Sequence, residues 1–290
     1  MDEPAISPSR VGTEIQAVAL GGLNPDPSWR RPILAQHHLL ILITAGHGTA
    51  QLDFRDHSCH PGVVLRVRPG QALRCVGAGL DGFGVRWTGD VPDDPDGGPA
   101  ALPGGAAHWQ PGGADGDAMV AGITQLVADC GRYPEDVHGH LLARHQLAAV
   151  LLRLALLSGR ERSGGVAELA TFRRLWAEVE RRHPETRRVE DYATTLGCSV
   201  RTLTRACLAV TGHSAKQVID QRVALAAMRL LVATDEPIAA VGRRLGFPEP
   251  TNFGRFFVRE VGLSPGAFRA GRRGSAGSGT RALVGSASPA

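Results

Sequence analysis

Residues 189–210 read VEDYATTLGCSVRTLTRACLAV and residues 238–269 read IAAVGRRLGFPEPTNFGRFFVREVGLSPGAFR, and these two stretches decide the fold. Each contains a short helix with apolar periodicity, a turn with glycine and a second apolar-periodic helix, which is the pattern of a helix-turn-helix unit. In the first unit Ser199 stands where a helix N-cap belongs, and in the second Pro250 stands at a first helical position. The sequence therefore predicts an all-helical C-terminal domain with two such units.

The second helix of each unit has a polar face that its apolar residues leave outside. Arginine can bond guanine, asparagine can bond adenine, and threonine can meet methyl groups or acceptors on base edges. One polar face on each helix is how a protein presents side chains to a DNA groove. The candidate base-reading residues are Arg201, Thr204 and Arg205 in the first unit and Thr251, Asn252 and Arg255 in the second.

A continuous helical pattern, Ser214 to Val232, joins the two units. Its nineteen residues would span about 29 Å at ~1.5 Å per residue. One turn of B-DNA is about 34 Å long, so a helix of this length can hold two reading helices in successive segments of the major groove. A single chain is therefore expected to read a two-part site.

The segment resembles the DNA-binding domain of the AraC/XylS family of bacterial transcription regulators. Residues that match the family pattern are Arg222, Ala226, Ile238, Gly246-Phe247, Phe253, Arg255-Phe256-Phe257, Gly262, Ser264-Pro265 and Arg269. The resemblance implies promoter DNA as a partner, RNA polymerase as a further partner, and base reading by the six residues named above. Gly242 stands where the family usually has Ala, and Gly254 lies inside the second reading helix. Each glycine costs roughly 1 kcal/mol of helix propensity relative to Ala, so the first unit is expected to dominate specificity.

Composition agrees with a DNA-binding regulator and indicates two domains in 290 residues. The net charge is only +4, but residues 166–273 hold 18 Lys/Arg against 11 Asp/Glu. The five cysteines are odd in number and never spaced as CxxC, so we interpret them as reduced structural thiols. No uncharged apolar run of ~18 residues and no signal-peptide pattern occur, which favours a cytoplasmic protein without a membrane segment.

The N-terminal third has a different period. Apolar and β-branched runs from His37 to Phe54 are followed by further runs between the turns Pro61-Gly62 and Pro69-Gly70, which indicates a small β-barrel or sandwich. Upstream of an AraC-like domain, this stretch resembles the cupin-like sensor barrel that many such regulators carry. The expected fold is thus α+β, with a cupin-like barrel and flanking helices followed by the all-α domain.

In that resemblance the barrel interior holds a small-molecule effector. The candidate lining residues are His37, His38, Arg66, Arg68 and Trp87. Strand alternation places only one of the two neighbouring histidines inside. Arg66 and Arg68 share a strand face, so both face the interior or both face solvent, and solvent is favoured. Trp87 is also explained as a core or rim aromatic.

A metal-dependent cupin enzyme is a weaker alternative. His57 and His60 are three positions apart and therefore do not share a strand face, and no Glu follows at short spacing. Nucleophile and phosphate-loop motifs do not occur. We therefore predict no enzymatic activity, metal or cofactor. Two alternatives stay open: a regulator whose N-terminal domain only oligomerises or contacts other proteins, and a metal cupin enzyme fused to a DNA-targeting domain.

Two helices are expected between the barrel and the C-terminal domain. After an irregular connection from Val91 to Gly116, the pattern predicts helices over Asp117–Cys130 and Val137–Leu157. One face of the second helix, apolar apart from His145, comprises Leu141, Leu142, His145, Ala148, Ala149, Leu152 and Leu156. Further apolar surface beside it comprises Leu147, Val150, Leu151 and Leu154, so the helix is expected to be buried on more than one side. The helix covers the barrel or, as in related regulators, forms a homodimer contact, which we favour. The expected domains are a sensor over 1–160, a linker at Ser158–Gly165, a DNA-binding domain over 166–273 and a disordered tail over 274–290.

Overall fold

The computed structural model describes residues 14–89, 91, 107–157 and 166–274. An antiparallel sheet with two helices forms the N-terminal part, and the C-terminal part is helical, which confirms the two-domain α+β prediction. The expected linker at 158–165, most of the connection over 91–116 and the expected tail beyond 274 lie outside the described residues.

Strands come first and helices follow, as the sequence periods predict, although one short strand and the start of the first helix lie in the stretch 91–116 that was expected to be irregular. The strands are β1 Ile15–Ala19, β2 Ile33–Leu34, β3 His38–Leu52, β4 Arg55–Cys59, β5 Val64–Val67, β6 Ala72–Trp87 and β7 His108–Trp109, with a short 3-10 helix at Leu20–Gly22. The helices are α1 Gly113–Arg132, α2 Val137–Leu157, α3 Val166–Arg182, α4 Val189–Leu196, α5 Val200–Thr211, α6 Ala215–Ala233, α7 Ile238–Arg244, α8 Pro250–Val261 and α9 Pro265–Gly274.

The sheet is organised around the two long strands β3 and β6, which pair from His38 opposite Trp87 to Leu52 opposite Leu73. The strand order is β1-β6-β3-β5-β7, with β2 also on β6 and β4 also on β3. Among the described strands no pairing joins β7 back to β1. The antiparallel sheet is therefore present, whereas closure into a cupin-like barrel stays a prediction.

Both faces of the sheet are buried, because successive side chains of a strand point to opposite sides. Leu40 and Leu42 pack towards the apolar faces of α1 and α2. Leu39 and Ile41 point the other way, into a second core that includes Trp29. The second core is filled by apolar side chains, so the sheet is a packed scaffold on both sides.

Helix α2 has the predicted bounds but is buried on one of its two apolar surfaces. Leu147, Val150 and Leu154 are fully buried against α1 and the sheet. On the other surface Leu152 is 42% exposed and Leu156 is 81% exposed, so the expectation of burial on more than one side is wrong for the single chain. The helix is apolar on nearly all sides, and such a pattern does not reveal which side packs. By length and composition alone α2 could also cross a membrane.

The C-terminal domain has two separate cores, one for each helix-turn-helix unit. The N-terminal half of α6 lies in the first core and its C-terminal half lies in the second. The start of α6 is fixed by a capping box, in which the Ser214 hydroxyl accepts from the Gln217 backbone and the Gln217 side chain accepts from the Ser214 backbone. The predicted continuous linker helix is confirmed.

The tip of the β3–β4 hairpin connects the two domains. Asp53 and Phe54 both have positive φ, 47° and 69°, which turns the chain tightly between the strands. The Asp53 carboxylate accepts two hydrogen bonds of 2.7 Å from Arg229 on α6. The Phe54 ring lies edge-on against Phe268 of α9, with centroids 5.5 Å apart. A sheet element is thereby anchored to the helix that joins the two helix-turn-helix units.

Candidate nucleic-acid interface

The first helix-turn-helix unit has the local structure that its sequence predicts. Gly197 ends α4 in the left-handed conformation, with φ of 63°. The Ser199 hydroxyl then accepts from the Thr202 backbone N–H at 3.1 Å, which confirms the predicted N-cap of α5. Leu203 and Cys207 on the inner face of α5 are fully buried, so the orientation of the helix is fixed by packing.

The outer face of α5 carries the first set of candidate reading residues. Arg201 and Arg205 are exposed and Thr204 is half-buried. The Arg205 side chain is 72% exposed, and its Nε lies 3.6 Å from a carboxylate oxygen of Glu168 on α3. Exposed ion pairs contribute only about 0–1 kcal/mol, so Arg205 can exchange this partner for a base or phosphate at little cost.

The second unit depends on a close approach at its turn. Gly246 has φ of 75°, and a Cβ there would lie 2.5 Å from the Pro184 carbonyl oxygen. Helix α8 then begins with Pro250 in its first turn, as predicted. Three phenylalanines, Phe253, Phe256 and Phe257, hold its inner face in the second core. Thr251, Asn252 and Arg255 are exposed on the opposite side.

Two guanidinium groups join neighbouring parts of the helical domain. Arg187 precedes α4 in the first unit, and its guanidinium lies over the Phe247 ring of the second at 3.6 Å. Burial lowers the pKa of Arg187 from its usual value. Arg222 on α6 donates to Glu180 of α3 at 2.9 and 2.7 Å. The role of Arg187 was not predicted, because an arginine over a phenylalanine 60 positions away has no local sequence signal.

Comparison with known proteins now identifies this double unit. A family profile described as a helix-turn-helix domain matches residues 192–271. The arabinose operon regulatory protein of Escherichia coli K12 is 48% identical over 52 residues, which is 18% of each chain. The HTH-type transcriptional activator RhaS of Enterobacter sp. strain 638 is 28% identical over 174 residues. These similarities support the resemblance of the double unit to AraC/XylS family transcription regulators. The chain matches 58% of its own length to that RhaS and spans 59% of the length of that protein.

Solved structures give a weaker likeness. ToxT from Vibrio cholerae O395, bound to (E)-4-(8-methylnaphthalen-1-yl)but-3-enoic acid, aligns over 90% of this chain and 99% of its own. The TM-score is 0.46 at 9% identity.

The two glycines that depart from the AraC/XylS pattern differ in their surroundings. A Cβ on Gly242 would meet the Phe253 side chain at 3.1 Å, which is tighter than ordinary packing. A Cβ on Gly254 would meet nothing within 4 Å among the described residues. Gly242 therefore accommodates a large neighbour, whereas Gly254 only weakens α8.

The five candidate effector residues do not form one group. His38 and Trp87 are paired across β3 and β6 and stacked at 5.0 Å, on the sheet face that α1 and α2 cover. Arg66 is only 1% exposed, so the expectation that it faces solvent is wrong. It lies opposite Leu40 on β3, and so on the helix-covered face. Arg68, just beyond β5, is half-buried and lines a cavity between the domains.

His37 directly precedes β3, and its side chain is half-buried. It is not among the residues that line that cavity. Of the five candidates, only Arg68 therefore lies at a described cavity.

Proposed function

We propose that this chain is a sequence-specific DNA-binding transcription activator that reads promoter DNA with α5 and α8. The observation that carries the proposal is the pair of exposed polar faces, one on α5 and one on α8. Helix α6 joins the two units that carry these faces. Helix α6 is 19 residues long, about 29 Å at ~1.5 Å per residue, which is close to one turn of B-DNA. RNA polymerase is the proposed further partner, in line with relatives that are named transcriptional activators.

The base-reading roles are proposed for the same six residues as in the sequence. Arg201, Thr204 and Arg205 would read one segment of the major groove, and Thr251, Asn252 and Arg255 the next. Arginines around them and the helix N-termini would contact phosphates and fix the register. Five of the six are exposed on the outer sides of α5 and α8, and Thr204 is half-buried.

Substitution of Arg205 or Arg255 by alanine tests this assignment. Each is expected to weaken specific binding by roughly 1–3 kcal/mol and to relax the base preference in one half of the site. Arg181→Ala on α3, a side chain that is 65% exposed, is the matched control and should leave the preference unchanged. Binding is measured on the selected site and on random DNA at one salt concentration. Equal losses on both DNAs would show that the two arginines contact only phosphates.

For the N-terminal domain we propose a cupin-like sensor of a small-molecule effector within a cytoplasmic regulator, over residues 1–160. The relative RhaS is named a transcriptional activator, which supports a regulator rather than an enzyme. Among the described residues no group of three or more His, Cys, Asp or Glu is arranged to hold a metal ion. Metal analysis of the purified protein tests the alternative of a metal cupin enzyme, which a stoichiometric ion would support.

A homodimer through α2 is the final part of the proposal. The outward face of α2 exposes an apolar stripe interrupted by His145, which includes Leu141 at 50% and Leu156 at 81% exposure. Contiguous exposed apolar patches mark interaction sites more often than single exposed residues do. A second copy of the helix would bury the apolar residues of this stripe.

A further inference from the structure

The two reading helices match one another residue by residue. Helices α5 and α8 both have 12 residues, and they begin fifty positions apart. Both end at a glycine with positive φ, 72° at Gly212 and 82° at Gly262. The N–H of each glycine donates to the carbonyl four positions earlier, that of Leu208 at 3.0 Å and that of Val258 at 2.9 Å. Leu208 and Val258 therefore occupy the same place in the two helices.

Both of these side chains are apolar and exposed. Leu208 is 51% exposed and Val258 is 46% exposed. In the described part of the helical domain, the exposed large apolar side chains are those of Val200, Leu208, Val258 and Leu263. A single exposed apolar residue is ordinary on a protein surface. The same exposed position in both units of a duplicated motif instead indicates a shared role.

Leu208 and Val258 extend the two reading faces. At 3.6 residues per turn, positions i, i+4 and i+7 of a helix form one narrow row. Such a row on α5 comprises Arg201, Arg205 and Leu208, and the corresponding row on α8 comprises Thr251, Arg255 and Val258. All six side chains of the two rows are exposed. Each row of candidate reading residues therefore ends in an apolar side chain.

The length of each row fits a half of the proposed DNA site. Seven residues at ~1.5 Å per residue span about 10.5 Å, which is the rise of about three base pairs at ~3.4 Å each. The apolar group that bases present in the major groove is the C5 methyl of thymine. We infer that Leu208 and Val258 each contact a thymine methyl group at the end of one half of the site. The inference rests on the proposed DNA binding by α5 and α8.

Such contacts would select one base at a position where the arginines do not. Cytosine presents an amino donor in the major groove in place of the carbonyl and methyl group of thymine. An apolar side chain therefore gains contact area with thymine and covers a polar group when it meets cytosine. The transfer free energy of one buried carbon group corresponds to about a fourfold change in affinity.

Replacement of thymine by deoxyuridine tests the contact, because deoxyuridine lacks only the C5 methyl. A site is first selected from random DNA with the full-length protein, and each of its thymines is then replaced in turn. At least one replacement in each half of the site is expected to weaken binding about fourfold. All affinities are measured at one salt concentration.

Variants assign the sensitive thymines to side chains. Leu208→Ala should reduce the deoxyuridine penalty at one thymine to below about twofold, and Val258→Ala should do so in the other half of the site. Thymines that Thr204 or Thr251 contacts would keep their penalty in both variants. Leu263→Ala is the matched control, because that side chain is also 51% exposed but lies beyond α8, and it should keep every penalty.

Each variant tests its own residue. Because both side chains are exposed, their truncation should leave Tm unchanged, and a change in affinity then reports on DNA contact. A set of penalties that is the same in a variant as in the unchanged protein would overturn the contact of that residue and leave the proposed function intact. Selection of no site from random DNA would refute the proposed function, and the inference with it.

Discussion

The Asp53–Arg229 ion pair should hold the two domains together, and Arg229→Met is the perturbation that tests it. The side chains of Arg229 and Asp53 are 10% and 15% exposed, and two hydrogen bonds of 2.7 Å join them. Methionine keeps the length and apolar stem of the arginine but removes its charge. Asp53 would retain only neutral donors, the Gln71 side chain and the Ala72 backbone N–H.

Removal of one partner from a buried pair costs about 3–5 kcal/mol, because the other charge stays buried. Since both side chains keep some solvent contact, we expect about 3 kcal/mol for Arg229→Met and about 2 kcal/mol for Asp53→Asn. The double variant should lose less than the sum, with a coupling energy of about 1.5–3 kcal/mol. Urea unfolding of the four proteins at pH 7 gives the four free energies of the cycle.

The pH dependence of the coupling energy provides an internal control for this double-mutant cycle. Burial alone would raise the pKa of Asp53, but the hydrogen bonds and charge of Arg229 outweigh it and leave the pKa below 3.8. The pair thus contributes stability that is present above the ordinary Asp pKa and is lost as the pH falls through the lowered value. The coupling energy should shrink in that acidic range. A coupling energy below about 0.5 kcal/mol at pH 7 would refute the claim that this pair stabilises the interface.

Three further outcomes are expected. Gly254→Ala should raise the free energy of unfolding by about 1 kcal/mol, because its Cβ meets no described atom, whereas Gly242→Ala should bring no gain in the same urea experiment. Burial lowers the pKa of His183 to about 4, so as the pH falls the unfolded state binds a proton before the folded state does. The free energy of unfolding should therefore fall by about 3 kcal/mol between about pH 6.5 and about pH 4. His183→Asn should abolish that slope in urea titrations at several pH values. Leu152→Glu should convert a dimer to a monomer in sedimentation velocity, with Val120→Glu on α1 as the control; a dimer that survives would exclude the α2 stripe.

Local signals made the helical domain predictable. The Ser199 cap, the Gly197 turn and the Pro250 start each depend on backbone geometry within a few residues, and the structure has all three. The bounds of α2 were also predictable, since a run of apolar helix formers has clear ends. Its buried face was not, because Leu152 and Leu154 are equally apolar and only the position of the sheet and α1 distinguishes them.

The candidate effector residues show why the domain interface was beyond the sequence pattern. Alternation along one strand predicts that Arg66 and Arg68 face the same side of the sheet. Arg66 is buried beneath the helices, whereas Arg68 lies one residue past the strand and lines the interdomain cavity. The partners that complete this region, Asp53 and Arg229, are 176 positions apart and carry no common motif. A charged residue at a hairpin tip would ordinarily be assigned to solvent. The groups that join the N-terminal domain to the helical domain are therefore ones whose role depends on the docked arrangement, so a test of the proposed regulation must use the full chain.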